Sequence, residues 1–127
     1  MPSSSENPVS EHPAFEPGTL LGHLGDDDTA MRELLALYLE EAPRLRAALR
    51  AAVGGGSAEP VRRAAHALKG TLNSITAYPA GTAAEVLEHM GRTGEVRDAA
   101  GALANVETQL DQLEAAVQRF LAERSAS

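Results

Sequence analysis

The sequence contains no cysteine and no tryptophan, and it has only two phenylalanines and two tyrosines. Without cysteine, a disulfide framework and a thiolate metal site are both excluded. The shortage of aromatic residues leaves Leu, Ala and Val as core material, which suits closely packed helices better than sheets. The sequence shows no secretory signal and no apolar run of membrane-spanning length. We therefore predict an α-helical, cytoplasmic protein that does not contact a membrane.

Positive charge is also scarce. The chain of 127 residues has 11 Lys and Arg against 18 Asp and Glu, which gives a formal net charge of −7. Nucleic-acid binding depends on a clustered basic face that replaces the counterions of the phosphate backbone. The charge balance therefore argues against nucleic-acid binding as the main activity. The length fits a single domain.

Apolar residues recur at three- and four-residue steps along most of the chain, which predicts amphipathic helices. The start is instead rich in Ser and Pro, and we predict a flexible lead-in over residues 1–14, a helical bundle over 15–124 and a disordered tail over 125–127. Short connections make neighbouring helices antiparallel. The predicted fold is an all-α, antiparallel up-down-up-down four-helix bundle with a short extra N-terminal helix, closed enough for a monomer. The predicted helices cover about 15–24, 27–53 (with a bend or break at Pro43), 57–77, 79–92 and 96–123.

The helix over 79–92 has the weakest pattern. Its predicted apolar side consists of Ala83, Val86, Leu87 and Met90. Alanines bury little surface, so its packing against the bundle is the least certain part of the predicted fold.

His66 stands out in the third helix because it lies among alanines and leucines. At 100° per residue, Val61, Leu68 and Leu72 fall on roughly the opposite side from His66, so the imidazole should face water. The helix-surface neighbours of His66 are cationic or uncharged, and none is acidic. They are Arg62, Arg63, Lys69, Gly70 and Asn73.

This setting disfavours two kinds of histidine chemistry. A triad or general-base histidine normally has a carboxylate that orients its ring, and the neighbouring helix positions offer none. The four histidines have no short ligand spacing, so no metal site is predicted. Cationic neighbours can instead accompany an incoming phosphoryl group. On position alone, a merely solvated surface histidine is the commoner alternative.

The segment "HALKGT", residues 66–71, resembles the H-x-L-K-G-S/T signature of histidine-containing phosphotransfer (HPt) domains. The stretch "LGDDDTAMRELLALYLEEAP" is similar to the start and long second helix of that family, and "VLEHMGRTGE" is similar to its L-E-x-x-x-R-x-G-D connection into the last helix. Together the likeness covers about residues 15–123. Thr76 departs from the family pattern, which commonly has glycine there.

The resemblance implies a phosphorelay intermediate. By this likeness, His66 accepts a phosphoryl group through Nε2 from a receiver-domain aspartyl phosphate and passes it to another receiver. Lys69 would lie near the phosphoryl oxygens, and Gly70 would leave room for the receiver. The implied partners are response-regulator receiver domains and hybrid histidine kinases. No cofactor is expected, because the receiver would supply Mg²⁺.

The partner is expected to dock on the open face of the second and third helices, where Arg62, Arg63, Asn73 and Leu37 are the candidate contacts. The sequence has no Gly-rich phosphate loop, so we expect no ATP-dependent kinase activity of its own. An alternative function is a helical adaptor that binds a receiver or a histidine kinase without chemistry.

Overall fold

The computed structural model describes residues 13–126, with side chains up to residue 124. Residues 1–12 of the predicted lead-in and Ser127 of the predicted tail lie outside the described residues. The helices are α1 Pro17–His23, α2 Asp28–Gly55, α3 Ala58–Ser74, α4 Tyr78–Thr93 and α5 Ala99–Ala126. Helix α2 contacts α3 and α5, and α4 contacts the same two helices, so the four long helices form a closed bundle. The predicted all-α four-helix bundle with an extra N-terminal helix is confirmed.

The ends of α2 follow local backbone chemistry. Asp27 caps its N-terminus, because its side chain accepts a hydrogen bond from the Ala30 amide at 3.0 Å. Gly56 ends the helix in the left-handed conformation, with a φ of 78°. The helix continues through Pro43, so a break there, the alternative to the predicted bend, is wrong, and the bend stays a prediction. Helix α5 ends at Ala126, two residues beyond the predicted end of the bundle.

The core lies between the four long helices and is built mainly from Leu, Ala and Val, as the composition predicts. Phe15 precedes α1 instead of lying within it, and it closes one end of the core. Its ring packs edge-on against Phe120 of α5, with the two ring centroids 5.6 Å apart. None of the described helices is both long and apolar enough to cross a bilayer.

The turn between α3 and α4 ties the N-terminal segment to the bundle. Thr76 has a φ of 60° and is fully buried. A β-branched residue is strained in this left-handed region, which favours glycine. Its hydroxyl accepts a hydrogen bond from the Glu16 amide and donates one to the Glu16 carbonyl, each at 3.0 Å. These two bonds compensate for the strain, and they give the turn a contact that glycine could not make.

Helix α4 turns most of its predicted apolar side to the core. Ala83 and Leu87 are buried and Met90 packs partly buried against the core, whereas Val86, predicted on the same side, is 47% exposed. The rest of the buried face consists of small residues together with one glutamate, Glu88, so α4 can approach α3 closely. A Cβ atom at Gly91 would lie 2.5 Å from the backbone nitrogen of Arg62 on α3. The buried residues of α4 are Ala80, Gly81, Ala83, Ala84, Leu87, Glu88 and Gly91.

Candidate functional site

His66 projects from the middle of α3 to the outside of the bundle. Its side chain is 64% exposed. Val61, Leu68 and Leu72 on the opposite side of the helix are fully buried, which fixes the rotation of α3 about its axis. The outward direction of the imidazole therefore agrees with the helical pattern of the sequence.

A buried carboxylate holds one nitrogen of this ring. Glu88 of α4 has a side chain only 5% exposed, and its Oε2 atom lies 2.8 Å from Nδ1 of His66. The other oxygen, Oε1, lies 2.6 Å from the ammonium nitrogen of Lys69 on α3. Arg92, one turn further along α4, places a guanidinium nitrogen 3.3 Å from Oε2. Three side chains that can carry positive charge thus surround one buried carboxylate.

Glu88 is ionised at neutral pH. The hydrogen bond from Lys69 is the main reason that the pKa of Glu88 falls to about 2. Burial of the carboxyl group opposes this shift, and the hydrogen bond with His66 adds to it. An ionised carboxylate can only accept hydrogen bonds, so Nδ1 of His66 must carry the hydrogen that joins them.

The hydrogen bond with Glu88 therefore selects the tautomer of the imidazole. When the ring is neutral and Nδ1 carries its proton, Nε2 keeps a free lone pair. Glu88 is the only residue described in the structure that makes a hydrogen bond with the imidazole of His66. The arrangement presents a nucleophilic nitrogen on an exposed surface, oriented from behind by a carboxylate.

The expectation that no carboxylate orients the ring of His66 is wrong. That expectation considered only positions on the same helix surface, whereas Glu88 comes from the adjacent helix, 22 residues away. A usable signal was present in the sequence. Glu88 shares one face of α4 with Ala84, Leu87 and Gly91, and a carboxylate on such a face needs a partner across the helix interface.

The structure brings Lys69 and Gly70 to the same side of α3 as His66. Lys69 is only 22% exposed and reaches Glu88, so it supports the carboxylate directly. Gly70 lies in the interior of the helix, and a Cβ atom built on it would meet nothing within 4 Å. The fold therefore does not require glycine at position 70. Glycine in a helix interior destabilises the helix. Its presence at position 70 therefore points to a reason outside the bundle, such as the approach of another molecule.

The other residues of α3 that were predicted to contact a partner do not form one cluster. Arg62 is paired with Glu59 on its own helix, at 2.6 Å, while Arg63 is exposed. Asn73 is exposed, but its side chain also covers Gly81 of α4, where a Cβ atom would lie 2.2 Å from the Asn73 amide oxygen. Asn73 therefore contributes to helix packing as well as to the surface.

Leu37 lies on α2 and is 53% exposed. It borders a groove of about 210 Å³ between α2 and α3. Apolar side chains form much of the groove, and Thr71 and Ser74 extend it along the helix that carries His66. A larger groove of about 580 Å³ lies between the N-terminal segment and α5, and no residue of α3 or α4 lines it.

The Hpt domain family model matches residues 33–116 of the chain. The matched range contains all of α3 and α4 and most of α2 and α5, and it includes His66, Lys69 and Glu88. The chain belongs to the Hpt domain family. Comparisons of this Hpt domain with curated proteins and with solved structures found no match.

Membership explains the general role of the bundle. Hpt domains act in phosphotransfer within two-component phosphorelays, where they interact with receiver domains and kinases. The predicted family and the predicted helical bundle are thus both confirmed for this Hpt domain. Its cytoplasmic location and its monomeric state stay predictions.

Proposed function

We propose that this Hpt domain is a phosphorelay intermediate and that His66 is its phospho-acceptor. One observation carries the proposal: the His66 side chain is 64% exposed while the Glu88 carboxylate accepts a hydrogen bond from Nδ1, which leaves Nε2 without a partner among the described residues. An incoming protein can reach Nε2 without any rearrangement of the bundle. The ring is already in the tautomer that attack on phosphorus requires.

The transfer step is a substitution at phosphorus. The Nε2 lone pair attacks the phosphorus of an aspartyl phosphate on the receiver, and the bond from phosphorus to the aspartate oxygen breaks. The aspartate leaves as a carboxylate, and the imidazole ring becomes positively charged while it keeps the proton on Nδ1. Glu88 lies 2.8 Å from that nitrogen, so its negative charge offsets the positive charge that develops during the attack. In the reverse step, an aspartate oxygen attacks phosphorus and the bond to Nε2 breaks.

The surroundings suit a protein that brings the phosphoryl group with it. Arg63 and Arg92 are exposed near His66, where they can face the acidic pocket of a receiver. Gly70 leaves the surface beside the histidine open. The partner would supply Mg²⁺, and the groove beside Leu37 would receive an apolar side chain of the docked receiver.

The proposal is tested by incubating the protein with a phosphorylated receiver domain. We expect transfer of a label that is stable to base and labile to acid, as phosphohistidine is. His66→Gln should abolish the label. His89→Gln is the matched control, because His89 is an exposed histidine on α4 without a carboxylate partner in the described structure.

Two outcomes would contradict the proposal. Label that persists in His66→Gln would show that another residue accepts the phosphoryl group. A wild-type protein that binds the receiver with the same affinity as His66→Gln, and takes up no label, would instead identify a non-catalytic helical adaptor.

A further inference from the structure

The hydrogen bond between Glu88 and His66 also affects the phosphorylated form of the histidine. Once Nε2 carries the phosphoryl group, Nδ1 is the only nitrogen of the ring that can gain or lose a proton. That nitrogen lies 2.8 Å from a carboxylate oxygen whose side chain is 5% exposed. A neutral amide in the same place would orient the ring without attracting the proton. Glu88 differs from such an amide because its negative charge attracts the proton on Nδ1.

Protonation of Nδ1 decides how readily the phosphoryl group leaves. When Nδ1 carries a proton, breakage of the bond between phosphorus and Nε2 returns the bonding electron pair to a ring that becomes neutral imidazole. When Nδ1 is unprotonated, the same breakage would release an imidazolate anion, which is a far poorer leaving group. In hydrolysis, a water oxygen forms the new bond to phosphorus, inorganic phosphate is released, and the proton lost by water goes to solvent.

We propose that Glu88 keeps the phosphorylated ring of His66 protonated on Nδ1 and thereby makes its phosphoryl group short-lived and easily passed on. This inference rests on the proposed function, because it concerns the phosphorylated form of the same histidine. It makes Glu88 a positioning residue with an electrostatic role: its charge, and not only its hydrogen bond, sets the lifetime of the phosphohistidine.

The size of the effect follows from the charges around the carboxylate. An opposite charge within about 4–6 Å moves a proton equilibrium by about 1–3 pH units. Glu88 shares its charge with Lys69 on α3 and Arg92 on α4, and Arg62 also lies near enough to interact with it. We therefore expect the lower end of this range. At a pH where most of the phosphorylated rings have lost the proton on Nδ1, a shift of this equilibrium by one pH unit changes the protonated fraction, and with it the hydrolysis rate, by about tenfold.

The test uses Glu88→Gln, which keeps the shape of the side chain and removes its charge. Potassium phosphoramidate phosphorylates exposed imidazoles without any receiver, so it separates this inference from the proposed function. His12, His23 and His89 are first replaced by glutamine, so that His66 is the only acceptor. Hydrolysis of the phosphorylated protein is then followed by phosphorus NMR between pH 5 and pH 9. Glu85→Gln is the matched control, because it removes an exposed carboxylate from the same helix.

We expect the phosphohistidine of Glu88→Gln to last about tenfold longer at pH 8.5, and the inflection of its pH profile to move to lower pH by about one unit. Glu85→Gln should match the parent protein. Equal lifetimes and equal profiles for Glu88→Gln and the parent would overturn the inference.

A second measurement does not depend on the folding of the variant. The phosphorus resonance of the phosphorylated parent protein is titrated beside that of phosphorylated Nα-acetylhistidine. The inflection should lie at higher pH in the protein, and coincidence of the two curves would refute a role for the Glu88 charge. Failure of phosphoramidate to label His66 would also refute it, because the argument requires an accessible Nε2. If a receiver fails to transfer while the Glu88 dependence holds, only the proposed function fails.

Discussion

Replacement of Gly70 by alanine should stabilise the protein and impair its phosphotransfer at the same time. The added methyl group would meet nothing within 4 Å, so the bundle need not adjust. Glycine in a helix interior costs about 0.5–1 kcal/mol relative to alanine, and this cost would be removed. For a domain of this size, the gain corresponds to a rise in melting temperature of about 2–6 °C.

The same methyl group lies one helical turn after His66, on the side from which a receiver approaches under the proposed function. A displacement of about 1 Å between reacting groups can slow a reaction about 100-fold, so we expect transfer from a phosphorylated receiver to fall at least about tenfold. The assay is the initial rate of transfer at fixed receiver concentration, measured beside a thermal unfolding curve of each protein.

Gly91→Ala is the matched control. There the methyl group would lie 2.5 Å from the Arg62 nitrogen, so α3 and α4 must move apart. Overpacking of this kind costs about 1–3 kcal/mol, and the helix propensity of alanine offsets part of the cost. The two glycines should thus shift stability in opposite directions. Unchanged transfer by Gly70→Ala would refute a close approach at this position, and a lowered melting temperature would refute the open space around it.

Three further results are expected. Thr76→Val should lower the free energy of unfolding by about 1–3 kcal/mol, because it leaves the partly buried Glu16 amide without its acceptor. Thr76→Gly should cost less in a urea titration, since glycine relieves the strain at a φ of 60°. Glu88 has a pKa lowered from 4.5 to about 2, so its contribution to stability is complete above pH 4.5 and is lost as the pH falls towards 2. The free energy of unfolding should therefore decline less steeply over this pH range in Glu88→Gln than in the wild type. Equal slopes of unfolding free energy against pH in the two proteins would contradict the reasoning. Leu37→Asp should weaken receiver binding in calorimetry without changing stability, since Leu37 is 53% exposed; equal affinity would exclude the groove from the interface.

The features of the fold that depend on local periodicity could be predicted from the sequence. The buried positions Leu68 and Leu72 recur at the helical spacing, and this alone turned His66 outward. The run of glycines at the end of α2 and the proline at the start of α4 marked the boundaries of these helices, because such residues act through the backbone of their own turn.

The features that were not predicted from the sequence depend on contacts between segments that are distant along the chain. Val86 was placed on the core side of α4 because it is apolar, whereas the close approach of α3 selects the face that carries Gly91 and Ala84. That rotation also buries Glu88 and brings it to His66. The bonds between Thr76 and Glu16 span 60 residues, so no local pattern indicates them.

Under the proposed function, the close approach of Gly91 to the backbone of Arg62 makes the separation between the axes of α3 and α4 a determinant of how fast His66 reacts. Because α3 carries the imidazole and α4 carries its carboxylate, any side chain that wedges the two helices apart lengthens one hydrogen bond on the surface. A bulkier residue at Ala84, which is fully buried, would then alter the chemistry of a nitrogen that it never touches. Variation in the volume of interior side chains could in this way tune how fast related proteins exchange phosphoryl groups, while their exposed residues stay the same.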